Sequence, residues 1–126
     1  MNIPQILVVD DDPSILKFVQ VNLEAREYRV LTAADGQEAL MIAEKEKPSL
    51  IILDIIMPEM NGFEVCRSIR QWSAVPIIML SAREGENDKD QCEACGANDY
   101  LTKPFVLREL LERVKIMLPN QQPAGT

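Results

Sequence analysis

Ile6-Leu7-Val8-Val9-Asp10-Asp11-Asp12 decides the fold: a short apolar run that ends in three carboxylates. An apolar run of that length reads as a strand buried on both faces of a parallel sheet. The pattern recurs along the chain. Leu50-Ile51-Ile52-Leu53 runs into Asp54, Ile77-Ile78-Met79-Leu80 runs into Ser81, and Tyr100-Leu101-Thr102 delivers Lys103-Pro104. Ligands bind such sheets at the carboxyl ends of the strands. One sheet edge therefore gathers carboxylates, a hydroxyl and an ammonium group, a set able to hold a phosphoryl group or a metal ion.

Working outward, strand and helix alternate five times. Strands are predicted over Gln5 to Asp10, Tyr28 to Ala33, Leu50 to Asp54, Val75 to Ser81 and Asp99 to Thr102. The second is the least apolar and belongs near a sheet edge. Pro13 opens the first helix, since its missing N–H would be unpaired there, and Ile15, Leu16, Val19 and Leu23 recur at helical spacing. Ala39, Leu40 and Ala43 mark the second helix, closed by Lys47-Pro48. Asn61-Gly62 is the strongest turn signal of the loop Met57 to Gly62. Phe63 to Gln71 is the third helix, and Gly85 to Cys95 a polar, weakly patterned fourth. Gly96 supplies a left-handed terminator for the fourth helix. Phe105 to Leu118 is the last. The fold class is a doubly wound α/β sandwich with helices on both faces of the sheet. Residues 1–118 form one domain, and 119–126, with no core residues, read as a linker or tail.

The chain has 126 residues, suited to one core. Its net charge of −7 argues against nucleic-acid binding by this segment, and a carboxylate cluster in an acidic protein attracts a cation. No segment approaches the roughly 20 apolar residues that span a bilayer, and the N-terminus is not a secretory signal. Three cysteines are too few for a disulfide framework, so a cytoplasmic location is expected. There is no histidine, which removes histidine triads and phosphohistidine chemistry from within the chain.

Asp10-Asp11, Leu53-Asp54 with Met57-Pro58 and Gly62, Leu80-Ser81-Ala82, and Tyr100 with Lys103-Pro104-Phe105 resemble the receiver domain of bacterial response regulators. The match runs from about Gln5 to Leu118. The resemblance implies a flavodoxin-like five-stranded parallel sheet of order 2-1-3-4-5. It also implies that Asp54 accepts a phosphoryl group from a sensor histidine kinase. Asp10, Asp11, Asp54 and the Ile56 backbone carbonyl would hold Mg²⁺, a cation that suits one or two carboxylates plus waters and phosphate oxygens. Ser81 and Lys103 would contact the phosphoryl oxygens, and Lys103–Pro104 would be cis. Tyr100 would follow Ser81 as a switch, and Ile56 and Arg83 would tune the lifetime of the acyl phosphate. The activity implied is self-catalysed phosphoryl acceptance with slow self-hydrolysis, and no turnover of another substrate. Asp12, before Pro13, fits a helix N-cap instead.

Lys89, Asp99, Glu109 and Arg113 match charged positions of a dimer surface in the winged-helix transcriptional subgroup. Asn98 and Glu93 depart from that pattern, and misplaced interface charge can abolish pairing. The output is either an effector domain joined beyond this segment or, for a stand-alone regulator, a separate protein. A hydrolase would need a D-x-D layout that Asp54-Ile55-Ile56 lacks. A flavin module would need a Ser/Thr/Gly-rich loop where Asp10-Asp11-Asp12 stands. Cys92-x-x-Cys95, without further zinc ligands, is assigned to packing rather than to metal or redox chemistry.

Overall fold

The computed structural model describes residues 3–81 and 86–118, with backbone alone at 86–88. Arg83 and the tail 119–126 lie outside the described residues. Five strands and five helices alternate: β1 (Gln5–Val9), α1 (Pro13–Glu24), β2 (Arg29–Ala33), α2 (Gly36–Glu46), β3 (Leu50–Asp54), α3 (Gly62–Arg70), β4 (Ile77–Ser81), α4 (Glu86–Cys95), β5 (Asp99–Thr102) and α5 (Leu107–Met117). The strands are all parallel, in order β2-β1-β3-β4-β5, as the resemblance implied. The more polar β2 is an edge strand, as its composition predicts.

Alternation along each central strand feeds two cores. Leu7, Val9, Ile51, Leu53, Ile77 and Met79 face α2, α3 and α4, where Ala39, Ala43, Val65, Cys66, Ile69, Cys92 and Cys95 complete the packing. Ile6, Val8, Leu50, Ile52, Ile78 and Leu80 face α1 and α5, against Val19, Leu23, Leu110 and Val114. Burying each such aliphatic side chain contributes about 1.5–3 kcal/mol relative to exposure. The two-sided burial explains why these runs are apolar without a break.

Several boundaries differ from the sequence expectation, each for a local reason. β1 ends at Val9, which leaves Asp10 on the following turn, its N–H bonded to Ala33 O at 3.1 Å. β2 starts one residue later than predicted, at Arg29. β4 starts at Ile77, because Pro76 has no N–H to give and the Ile77 N–H goes to the Asn98 side chain at 2.9 Å. α3 starts at Gly62 because Asn61 is its N-cap: Asn61 Oδ1 accepts from Glu64 N, and Glu64 returns the bond to Asn61 N, both at 3.0 Å. The Asn-Gly pair is thus a capping box rather than a free turn. α5 starts at Leu107, since Val106 is still extended. Asp12 caps α1 through Ser14 N, Lys103–Pro104 is cis, and Gly96 has φ +97, all as expected.

Candidate functional site

Four loops at the carboxyl ends of β1, β3, β4 and β5 build the site. Asp10 is wholly buried just past β1, and its Oδ1 accepts from Asp12 N at 2.9 Å. Asp11 is exposed beside it. Asp54, the last residue of β3, is 3% exposed. Carboxylate oxygens of Asp10, Asp11 and Asp54 lie within 4.8 Å of one another. Lys103 reaches in after β5, with Nζ 2.8 Å from Asp10 Oδ2 and 3.3 Å from Asp54 Oδ1. Ser81 is fully buried at the end of β4, opposite Thr102, and its carbonyl accepts from Lys103 N.

The electrostatics follow from this crowding. Burial and the Asp10 charge push the Asp54 carboxyl up to about 6, while Lys103 and the Ile56 N–H pull the other way. Burial works against the Lys103 ammonium, but Asp10 and Asp54 outweigh it and hold its pKa above the usual lysine value. Three carboxylates and one ammonium leave the cluster anionic. Oxygen donors at this separation, on one exposed and two buried carboxylates, suit a hard divalent cation such as Mg²⁺.

The β3–α3 loop is pressed against this cluster. A Cβ on Gly62 would lie 2.4 Å from Asp54 O and 2.8 Å from Ile55 Cα, so only glycine fits. Gly62 N in turn donates to Ile55 O at 2.8 Å. The Asn61 cap fixes where α3 begins, and the bare Cα of Gly62 lets that helix start against the acceptor strand.

Residues 6–115 match the response regulator receiver domain. The chain belongs to that family. It is 50% identical over 122 residues to the alkaline phosphatase synthesis transcriptional regulatory protein PhoP of Bacillus subtilis, which covers 96% of this chain and 51% of that protein. It is 44% identical over 120 residues to the transcriptional regulatory protein KdpE of Mycobacterium tuberculosis, covering 95% of this chain and 53% of that one. The chain spans about half the length of the curated relatives it matches. Among solved structures, the chemotaxis protein CheY4 of Vibrio cholerae superposes with a TM-score of 0.88 at 38% identity, covering 93% of this chain and 100% of that chain. The receiver domain of the Francisella response regulator 1452 does so at 0.88 and 34%, covering 94% and 99%. The protein is therefore a receiver domain of two-component response regulators.

Within this receiver domain the predicted site residues separate into two regions. Asp10, Asp11, Asp54 and Lys103 converge on the cluster, and Ser81 stands at the end of the adjacent strand β4. Ile56 is 52% exposed at its rim. Tyr100 is half-buried on β5, in register with Met79 and packed on the α2–α4 core. Asp99, Glu109 and Arg113 meet elsewhere: Arg113 pairs with Asp99 and, at 3.7 Å, with Glu109. Lys89 is exposed on α4.

Two features escaped the sequence reading. Arg70, at the end of α3, donates to Gly96 O at 2.8 Å, Asn98 Oδ1 at 2.9 Å and Ser73 O at 3.2 Å. Asn98 is thus part of a structural latch between α3 and the α4–β5 turn. Cys66 lies against Cys95, a contact between residues 29 apart that spacing cannot reveal. No described helix is long and apolar enough to cross a membrane.

Proposed function

We propose that this receiver domain is a phosphorylation switch with Asp54 as acceptor. The observation that carries the proposal is the buried Asp54 carboxylate, set beside Asp10 and Asp11 and touched by Lys103 at 3.3 Å. A carboxylate oxygen of Asp54 attacks phosphorus, and the bond from phosphorus to the donor's leaving group breaks with its electron pair going to that group. Such transfers need positioning and charge neutralisation more than covalent help. Asp10, Asp11, Asp54 and the Ile56 carbonyl would hold Mg²⁺, which supplies positive charge against the phosphoryl oxygens. Lys103, a point charge on a flexible stem, turns from Asp10 and Asp54 to a phosphoryl oxygen. Ser81 donates its hydroxyl to another, and Tyr100 follows Ser81 inward. Moving such a switch from 1:99 to 99:1 takes about 5.5 kcal/mol of differential stabilisation. Ile56 and, by the family resemblance, Arg83 would tune the lifetime of the acyl phosphate at Asp54. Phosphoryl acceptance and the slow hydrolytic reset are the chemistry of the Asp54 site, with no turnover of another substrate.

The donor is a sensor histidine kinase, since the chain itself has no histidine. The output is a transcriptional effector domain in the same polypeptide. Supporting this, the two transcriptional relatives above extend to about twice this chain's length. A cytoplasmic location goes with that output. Lys89, Asp99, Glu109 and Arg113 would form its phosphorylation-dependent dimer surface, with the Asp99–Arg113 pair exchanging partners between copies. A stand-alone regulator is the second reading, favoured by the full-length match to CheY4.

The test is phosphorylation by acetyl phosphate with Mg²⁺, read by intact mass and by size. The expected result is one added phosphate, absent in Asp54→Asn, with a shift to dimer for the transcriptional reading and none for the stand-alone one. No gain from acetyl phosphate or from a panel of histidine kinases overturns the proposal.

A further inference from the structure

All three cysteines of the chain are buried thiols, and all three sit between α3 and α4. Cys66 Sγ donates to Cys95 O at 3.2 Å, and Cys95 Sγ to Cys92 O at 3.2 Å. The Arg70 latch onto Gly96 and Asn98 holds the end of α4 against α3 and so keeps Cys66 beside Cys95. Among the described residues only Asp10, Asp11 and Asp54 bring three metal-ligating groups within 4.8 Å, so the thiols are not a zinc site.

The seat of α4 depends on these thiols. Of its described side chains, residues 89–95, only Cys92 and Cys95 are buried. A segment whose described side chains bury so little apolar surface opens locally at low cost, which admits a small oxidant to residues that are 3% exposed when it is closed. We propose that Cys66 and Cys95 form a redox modification site, which a hydroperoxide converts to a disulfide that ties α4 to α3.

Cys66 Sγ meets Cys95 at its backbone carbonyl, 3.2 Å away. The neighbouring Cys66 side chain, the Ala97 N–H and the Arg67 guanidinium hold the Cys95 thiol below the usual cysteine value against the opposing effect of burial. The same contact and burial push Cys66 up. In the proposed sequence Cys95, the more readily ionised of the two, attacks first and Cys66 resolves. The Cys95 thiolate attacks one oxygen of hydrogen peroxide. The O–O bond breaks, leaving a sulfenic acid and a hydroxide that is protonated to water. Cys66 sulfur then attacks the sulfenyl sulfur, the S–O bond breaks, and the hydroxyl leaves with the Cys66 proton as a second water. The two sulfurs lose two electrons and the peroxide gains them. On the phosphorylation reading above, the link would also restrain the α4–β5 surface; that consequence rests on that reading, and the cross-link itself does not.

The test treats the folded, reduced chain with hydrogen peroxide, without Mg²⁺ or phosphoryl donor, so its result is independent of the Asp54 chemistry. Free thiols are then alkylated and the chain is cleaved after glutamate, which separates Cys92 from Cys95 at Glu93. The expected result is an intact mass lower by two hydrogens, reversed by dithiothreitol, and a peptide pair joining Cys66 to Cys95. Cys92→Ser keeps that link, while Cys66→Ala and Cys95→Ala lose it. The unsubstituted chain alone decides the matter if a variant fails to fold. A Cys92–Cys95 link, a link between chains, sulfinic acid without a disulfide, or no reaction overturns the proposal.

Discussion

At Asp54, burial and the Asp10 charge oppose ionisation, and the carboxyl is lifted to about 6 although Lys103 is in contact. The folded state therefore binds this proton more tightly than the unfolded chain, whose aspartates titrate near 3.9. Stability is lost as pH rises from about 4 through about 6, and the penalty is complete above that range. Asp54→Asn removes it. In chelator at pH 7.5 the variant should be more stable than the parent by on the order of 2 kcal/mol in urea unfolding, with the gain vanishing toward pH 4. A gain that did not change with pH would contradict this account. Asp10, Asp11, Asp54, Ser81 and Lys103 were legible in the sequence because each ends a strand or follows one, and parallel strands put such ends together. The contact of Cys66 with Cys95 was not legible, because the two arrive on separate helices.

Among the elements, α3 carries the tightest constraint, because its first residue abuts the backbone that bears the acceptor. Gly62→Ala sets a Cβ against Asp54 O and Ile55 Cα, backbone atoms that cannot rotate away. The β3–α3 loop must shift, at about 1–3 kcal/mol by the usual cost of overpacking. Thermal unfolding should register that loss, and acetyl phosphate should label Asp54 more slowly as its carboxylate is displaced. Parental stability together with parental labelling would refute the close approach. The existence and type of the elements could be read from the sequence, α4 on the weakest pattern, and so could the ends of β3 and β5, whereas several other ends could not. Asn61 looks like a turn residue until its side chain is seen to exchange bonds with Glu64. Pro76 and Asn98 shorten β4 through one missing donor and one side-chain acceptor 21 residues beyond Ile77. Those causes lie in hydrogen bonds, and the apolar pattern that marks a strand carries no record of them.

For the molecule as a whole, the site is a product of sheet order. β1, β3 and β4 are nearly interchangeable apolar runs, so their composition does not rank them, and the order 2-1-3-4-5 was available only through family resemblance. Polarity did place β2 at an edge. Since that order brings Asp10 and Asp11 beside Asp54, a cation bound there stabilises only the folded state. Mg²⁺ at 100 times its dissociation constant should add about 2.7 kcal/mol of stability by linkage. Melting curves across a Mg²⁺ series should show the shift, reduced in Asp11→Asn. Equal shifts in both proteins would place the cation elsewhere. The bond from Lys103 to Asp10 joins residues 93 apart, nearly the two ends of the domain. A ribosome makes the two central carboxylates long before it makes the ammonium that partners them. A nascent chain thus holds its acceptor with the internal counter-charge still to come, and the pocket takes its resting form only as synthesis of the domain nears completion.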